Sequence, residues 1–556
     1  MSDGGSASQA LSRRAPAAVL GLLAVAAYGA IAGCTLFNGQ TFAEEVAALV
    51  RGWWYATGAL VPYTPADVPA EMPLYYYELG YWQRLLGAGH LSGRILSIVI
   101  GGAGGLLLFV ICRRLTANTQ VAAAAVFIFL ATPSTSYFFA TATPVATVST
   151  LHLLAIFLIV DSMGKPRAAV GALMGLVCAA IYFTRQDMFL AIAVLIPLYV
   201  AAVGRERPLQ MLSVLVGLAA GTALVIFAFP AKLQVLALQF PFVGGLLGDA
   251  GLLGPDYTLV ARGTHGPASL SAAFEVANLE GLFESFVLPN IGTILLALVL
   301  FAAATGPLRV LWAAPLYFLW LALTHYAARS VEDACTACMQ SATPAFAAVG
   351  ALAAALTLVL SSRWAKRNNL APGAVVVGGA VVAVALNTFA PMLASHPATR
   401  AFPRPMLDGI TTAPELSEIP ALTRWVAGQI KTQEPVLVIH GLGWTDAAAL
   451  PYAVAAAGRR MPAVSLDLRS TRRTANQSLV GDLRNDVLAG VEGSGLWSGE
   501  SLARWIARDY NVILLQDDAS ANVASIRKAI EAGFDRAGAT RYRGGSILMF
   551  TRKPAP

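Results

Sequence analysis

Two adjacent carboxylates, Glu44 and Glu45, follow directly on the first long apolar run of the chain. An acidic pair at the mouth of a membrane span is costly unless it is solvated, paired or used, and the use open to it is acid–base chemistry. Arg51, in the same loop, and Arg94, just beyond it, either pair with these carboxylates or bind a phosphate. Tyr75, Tyr76 and Tyr77, with Tyr81 and Trp82, either stack on a ligand or anchor the chain at the water–lipid boundary. Arg185 stands in Thr184-Arg185-Gln186-Asp187, where its guanidinium serves as a two-pronged anion ligand or as the partner of Asp187. His325 and Tyr326 end an apolar run beside Arg329, Glu332 and Asp333, a second place where a cleft could be lined. His152 lies inside another run; an intramembrane histidine is a functional suspect, and a helix-to-helix hydrogen bond explains it equally well.

These residues are carried by a membrane domain. The chain is 57% apolar and only 12% charged, far from the roughly 25% charged residues of soluble proteins. Apolar runs long enough for spans of about 20 residues lie near 15–36, 91–111, 120–138, 142–160, 168–183, 188–203, 209–230, 287–306, 308–326, 342–361 and 372–392. Eleven spans are therefore expected, with 1–14 as a cytoplasmic N-terminus, 37–90 as a first large extracytoplasmic loop and 231–286 as a second. Charge agrees with the alternation. The inner loops hold twelve basic residues, among them Arg13, Arg14, Arg113, Arg114, Lys366 and Arg367, against three acidic ones. The outer segments up to residue 392 hold seven basic and thirteen acidic residues, as expected when cytoplasmic loops are rich in Lys and Arg. The net charge of +7 is thus accounted for by orientation, and no nucleic-acid motif accompanies it. Cys34 ends an Ile-Ala-Gly-Cys that looks like a lipidation signal, but retention of the first span as an ordinary helix is the expectation. Cys335 and Cys338 form a CxxC on the outer side, where a disulfide staple can persist, and no second ligand pair makes zinc of it.

The composition changes after Met392. Residues 393–556 carry 34 of the 69 Asp, Glu, Lys and Arg residues, which marks a separate soluble domain on the outer side. Strand-like runs at 435–440, 461–466, 511–515 and 546–551 alternate with helical patterns at 501–508 and 523–532. That alternation predicts a small α/β layer with a largely parallel sheet. Gly441-Leu442-Gly443 lacks the third glycine of a dinucleotide-binding turn and reads as a tight strand-to-helix connection.

The loop between the first two spans also follows an order. Glu44-Glu45 leads; Arg51, Gly58, Pro62-Tyr63, Pro73-Leu-Tyr-Tyr-Tyr and Gly80-Tyr-Trp-Gln-Arg84 follow, and Gly93-Arg94-Ile-Leu-Ser97 opens the second span. This arrangement resembles the N-terminal module of the GT-C glycosyltransferases, and most of all family 39 with the protein-mannosyltransferase-like and lipid A aminoarabinose transferase enzymes. The likeness runs over roughly residues 20–115, is weaker to about 350, and does not cover the C-terminal domain. Glu44 stands where that family has aspartate, and the Thr132–Thr143 segment lacks the second carboxylate that some of these enzymes place there. Too few oxygen ligands then remain for a divalent metal.

The resemblance implies a polytopic membrane glycosyltransferase with a C-terminal extracytoplasmic α/β domain, needing no cofactor. It implies transfer from a polyprenyl-phosphate sugar to a lipid, polysaccharide or protein acceptor on the outer face of a bacterial inner membrane. Glu44 or Glu45 is then the base, Arg185, Arg94 and Arg51 candidate ligands of the donor phosphate, and Tyr63, Tyr75, Tyr76, Asp187 and His325 candidates for the sugar or acceptor. A flippase of lipid-linked sugars would use the same charged mouth without breaking a bond, and an inactive assembly subunit would keep only the fold. Transporters often carry internal repeats, whereas the loop module occurs here once.

Overall fold

The computed structural model describes residues 4–38, 43–58, 62, 72–87, 90–163, 167–185, 189–203, 207–229, 288–296, 343–393, 414–430, 436–440, 453, 465–467, 511–517, 521–542 and 545–554. The chain forms two compact units: residues 1–39, 94–224 and 266–411 make one, and 40–93, 225–265 and 412–556 make the other.

The first unit is helical. Its elements are α1 (Gly4–Asn38), α4 (His90–Thr116, from Arg94 on), α5 (Thr119–Ala131), α6 (Pro133–Phe139), α7 (Val145–Ser162), α8 (Ala168–Thr184), α9 (Phe189–Ala202) and α10 (Arg207–Ala228, to Leu224). A short helical stretch over 288–296, α11 (Thr343–Arg367) and α12 (Pro372–Phe389) complete it. Among the described residues five helices are long and apolar enough to cross a membrane, or six if the bent pair α5–α6 is one span. The shorter apolar α8 and α9, and α11, fall on other expected spans, while 308–326 lies outside the described residues.

Helix α5 is the hub, with α1, α11 and α12 packed on it. Its alanine-rich sequence is apolar all round and almost wholly buried, as such a helix must be in protein or lipid, and small side chains let neighbouring backbones approach. Asn118 caps it by accepting from the backbone N–H groups of Gln120 and Val121. Helices α8 and α10 meet through reciprocal small-residue pairs, Gly171 with Gly175 and Gly217 with Gly221. A Cβ on Gly217 would collide with the Ala172 carbonyl, and one on Gly175 with Val214 O and Leu218 N. Arg114 pairs with Asp161 of α7 and lies 4.6 Å over the Phe157 ring.

A 70° bend separates α5 from α6. Thr132 between them is extended and Pro133 opens α6, so the helical ladder cannot continue. The break is tied down by a buried amide. Asn387 of α12 accepts from Gly292 N (2.8 Å) and Thr293 N (3.3 Å) and donates to the hydroxyls of Thr132 (2.9 Å) and Thr293 (2.8 Å). With each amide atom matched to two partners, this network meets the demand that buried polar groups be satisfied.

The second unit holds α2 (Ala43–Thr57), α3 (Pro73–Leu86), α13 (Pro414–Gln429), α14 (Ala521–Gly533) and a five-stranded sheet: β1 (Val436–His440), β2 (Ser465–Asp467), β3 (Val512–Asp517), β4 (Phe534–Tyr542) and β5 (Gly545–Arg552). The strand order is β2-β1-β3-β5-β4. The sheet is parallel only across β2-β1-β3; β5 runs antiparallel to β3, and β4 to β5, which corrects the largely parallel expectation. For β4 and β5 the reason is that only two residues separate them, because consecutive strands so close in sequence can pair only antiparallel. The helical pattern at 523–532 falls in α14, whose Arg527 bonds Asp517 at the end of β3 (2.5 Å); the pattern at 501–508 lies outside the described residues.

Candidate active site

The loop between the first two spans contains a pair of helices. Helix α2 begins at Ala43, so Glu44 and Glu45 are its second and third residues, where a helix N-terminus favours negative charge. The side chain of Glu44 lies outside what is described; Glu45 is fully buried. Pro73 opens α3, and its fixed φ suits the first helical position.

Three contacts hold α2 against α3. Gln83 Nε2 donates to Leu49 O (3.0 Å), and Arg84 donates to Ala56 O (2.9 Å). Between them Gly80 lies directly on Gly52: an added Cβ at Gly80 would clash with the Gly52 carbonyl and come within 2.7 Å of Ala56 Cβ, and one at Gly52 within 2.9 Å of Tyr76 O. Leu49, Gly52 and Ala56 recur at the helical three- and four-residue spacing, and Glu45 is the preceding member of that stripe. Glu45 is therefore on the α2 face that meets α3, and Glu44 is about 100° around the helix from it.

Aromatic rings fill the same junction. Arg51, buried, sits 5.3 Å from the centroid of the Tyr76 ring, a cation–π distance. Tyr55 packs edge-on to Tyr76 (6.0 Å) and close to Tyr77 (5.3 Å), and Tyr77 stacks on Tyr81 and on Phe229. Tyr75 and Tyr76 are buried, while Tyr81 is more than half exposed. Trp82 Nε1 donates to Ser92 O (2.8 Å), tying α3 to the start of the next helix.

Two further arginines belong to the first unit. Arg94 is fully buried and donates to Thr35 O (2.7 Å) and Leu36 O (3.3 Å). These are carbonyls of the last turn of α1, which have no partner within their own helix. Arg185 is the C-cap residue of α8, half-buried, with its backbone N–H on Ile181 O. His152 is buried, its Nδ1 2.9 Å from Val148 O four residues earlier on its own helix. Tyr63, Asp187, His325, Cys335 and Cys338 lie outside the described residues. Sequence reasoning passed over Gln83, the Gly52–Gly80 contact and the Asn387 network. The paired glycines were the available signal for the helix contact, and an asparagine in an apolar span for the network.

Comparison with known proteins follows this geometry. Residues 67–231 match the family described as dolichyl-phosphate-mannose-protein mannosyltransferase. No curated protein matches the chain in sequence. Among solved structures, ArnT from Cupriavidus metallidurans bound to undecaprenyl phosphate superposes with a TM-score of 0.57 at 13% identity, over 96% of this chain and 97% of that one. Its apo state gives 0.55 at 14% identity, over 95% and 97%. The archaeal oligosaccharyltransferase AglB from Archaeoglobus fulgidus, in complex with an inhibitory peptide and a dolichol-phosphate, gives 0.44 at 10% identity, over 98% and 74%. The ArnT likeness takes in nearly the whole chain, including residues beyond the reach of the loop resemblance.

Proposed function

We propose that this chain, a protein of the GT-C membrane fold, transfers a sugar from a polyprenyl-phosphate donor to a cell-envelope lipid, polysaccharide or protein. The observation that carries the reading is the α2–α3 pair: an acidic couple opens a helix that is clamped against its neighbour by glycine contact and side-chain-to-backbone bonds. Such rigidity suits a base whose placement must be accurate to fractions of an ångström. The family match over 67–231 and the fold shared with ArnT, which was solved with undecaprenyl phosphate bound, support a polyprenyl-phosphate donor.

The chemistry is one displacement. Glu44 takes the proton of the acceptor hydroxyl as its oxygen attacks the anomeric carbon, and the carbon–oxygen bond to phosphate breaks with its electron pair leaving on the phosphate. A single attack from the opposite face inverts the anomeric centre, and the reading requires no metal. Arg185 neutralises the departing phosphate; its half-buried place at a helix end favours a charge-assisted bond over a fully hydrated one. Glu45, turned toward α3, orients rather than reacts. Arg94 holds the end of α1, and Arg51 holds Tyr76. Transfer takes place on the outer side of a bacterial inner membrane, with the N-terminus cytoplasmic and residues 393–556 a soluble domain on the outer side, as the loop charges support.

The test uses purified protein with polyprenyl-phosphate sugars. Glu44→Gln should abolish transfer while donor binding persists, and Glu44→Asp should keep measurable turnover. Transfer at the parental rate by both Glu44→Gln and Glu45→Gln removes the pair from the mechanism. Movement of lipid-linked sugar across vesicles without any glycosylated product would establish a flippase instead.

A further inference from the structure

The break between α5 and α6 lies in a stretch with no Asp, Glu, Lys or Arg from Leu115 to Val160. From Thr132 to Thr143 the polar side chains are hydroxyls: Thr132, Ser134, Thr135, Ser136, Thr141 and Thr143 are buried, and Tyr137 is partly so. Most are satisfied. Thr132 donates to Ile128 O (2.6 Å) and receives Asn387; Ser136 donates to Leu130 O; Thr141 donates to Phe138 O (2.9 Å) and meets Thr143 (3.2 Å). Ser134 and Thr135, adjacent in the first turn of α6, have hydroxyls that are buried and meet no hydrogen-bond partner among the described residues. The same holds for Ser149, in the first turns of α7, and for Ser97 of α4. Ser97 shares a face with Gly101, on which the Phe139 ring at the end of α6 is packed, so it lies on the side of α4 that meets α6.

Two adjacent unpartnered buried hydroxyls at the start of an interrupted helix call for a physical reason, since a buried polar group without a partner is costly. Non-helical backbone in an apolar span occurs where protein buries it or a cavity meets it, and interrupted helices are where membrane proteins hold polar substrates. The absence of charged side chains between Thr132 and Thr143 argues against a phosphate or carboxylate as the partner of Ser134 and Thr135, because either needs a cation or several N–H donors. A hydroxyl both donates and accepts, which is what the hydroxyls of a neutral sugar ring require.

We infer that Ser134 and Thr135 are the subsite for the sugar ring of the donor, reading its hydroxyls while Arg185 deals with phosphate. This rests on the glycosyltransferase reading above. Both hydroxyls are shut off from solvent, so a sugar reaches them only by opening the bend at Thr132 against the bond from Asn387 that holds it.

The experiment compares lipids on full-length protein in nanodiscs: undecaprenyl phosphate alone, and its mannosyl, glucosyl and aminoarabinosyl esters. The parent should bind at least one ester about tenfold more tightly than the bare phosphate, the worth of one or two hydrogen bonds. Ser134→Ala combined with Thr135→Val should erase that increment and leave undecaprenyl phosphate binding unchanged. It should also raise the melting temperature without lipid, because two unsatisfied groups are removed. Should the double variant not fold, Ser134→Ala alone carries the same comparison, with an expected loss of about threefold. Retention of the increment overturns the subsite and leaves the glycosyltransferase reading standing. Loss of bare phosphate binding together with the increment also overturns it, since the hydroxyls would then not be reading the sugar. A parent that binds none of these lipids overturns the donor class itself.

Discussion

Replacing Gly80 by alanine tests whether the α2–α3 clamp serves catalysis or only packing. The added Cβ would fall on the Gly52 carbonyl, 2.6 Å from Gly52 C and 2.7 Å from Ala56 Cβ. Neither the backbone of Gly52 nor the methyl of Ala56 can rotate away. Ordinary carbon contacts are about 3.5–4.0 Å, so the helices must part by roughly 1 Å. Overpacking of this kind costs about 1–3 kcal/mol, and the better helix propensity of alanine returns about 1 kcal/mol of it. The net loss of stability should therefore be small, about 1 kcal/mol. The effect on rate should not be small. A shift of about 1 Å in a catalytic group costs on the order of 10²-fold, and α2 carries the acidic pair. The assay is sugar transfer per folded molecule in nanodiscs, with melting temperature and donor binding measured on the same samples. Gly29→Ala in α1 is the control, since nothing lies within 4 Å of its added Cβ. A Gly80→Ala protein that melts at or above the parental temperature and transfers sugar at the parental rate would refute both the tight contact and its role.

Three other outcomes are expected. Arg185→Ala should lower the transfer rate on the order of 10²-fold while Arg185→Lys loses less, because lysine keeps the charge and gives up only the fork; equal rates in steady-state assays would remove Arg185 from phosphate stabilisation. Asn387→Leu strands the N–H groups of Gly292 and Thr293 and releases Thr132, so it should cost about 1–3 kcal/mol by thermal unfolding; an unchanged melting temperature would show that the network is not holding the break. Gly217→Val forces α8 from α10, because even a Cβ there meets the Ala172 carbonyl. It should lower the melting temperature in detergent more than Gly29→Ala, and equality of the two would deny the close crossing.

The membrane architecture was legible in the sequence because a bilayer imposes it locally. A span must satisfy its backbone within its own helix and cover itself with apolar side chains, so length and composition suffice to find it. The helices of the first unit accordingly fall on the expected runs, and β1, β3 and β5 on apolar strand segments. Strand β4 escaped notice because Phe-Asp-Arg-Ala-Gly-Ala-Thr-Arg-Tyr has neither alternation nor high strand propensity; pairing with β5 supplies what the local sequence lacks, across an irregularity between Arg536 and Gly538. The acidic pair, the arginines and the tyrosines were visible as residues of the right type. Their roles were set by distant partners. Tyr75 and Tyr76 face into a helix pair rather than a lipid boundary, and Arg94 is committed to the end of α1 59 residues away. Which glutamate turns inward depends on the crossing of α2 with α3, a contact between glycines 28 residues apart that no local pattern specifies. Thr132 reads in sequence as a residue before a proline, where a helix can end; that the break is held by an asparagine 255 residues later no local pattern shows. Periodicity and composition record what each segment needs from its immediate solvent, whereas close approach of backbones and the pairing of buried polar groups are properties of segments brought together, and those only the tertiary structure decided.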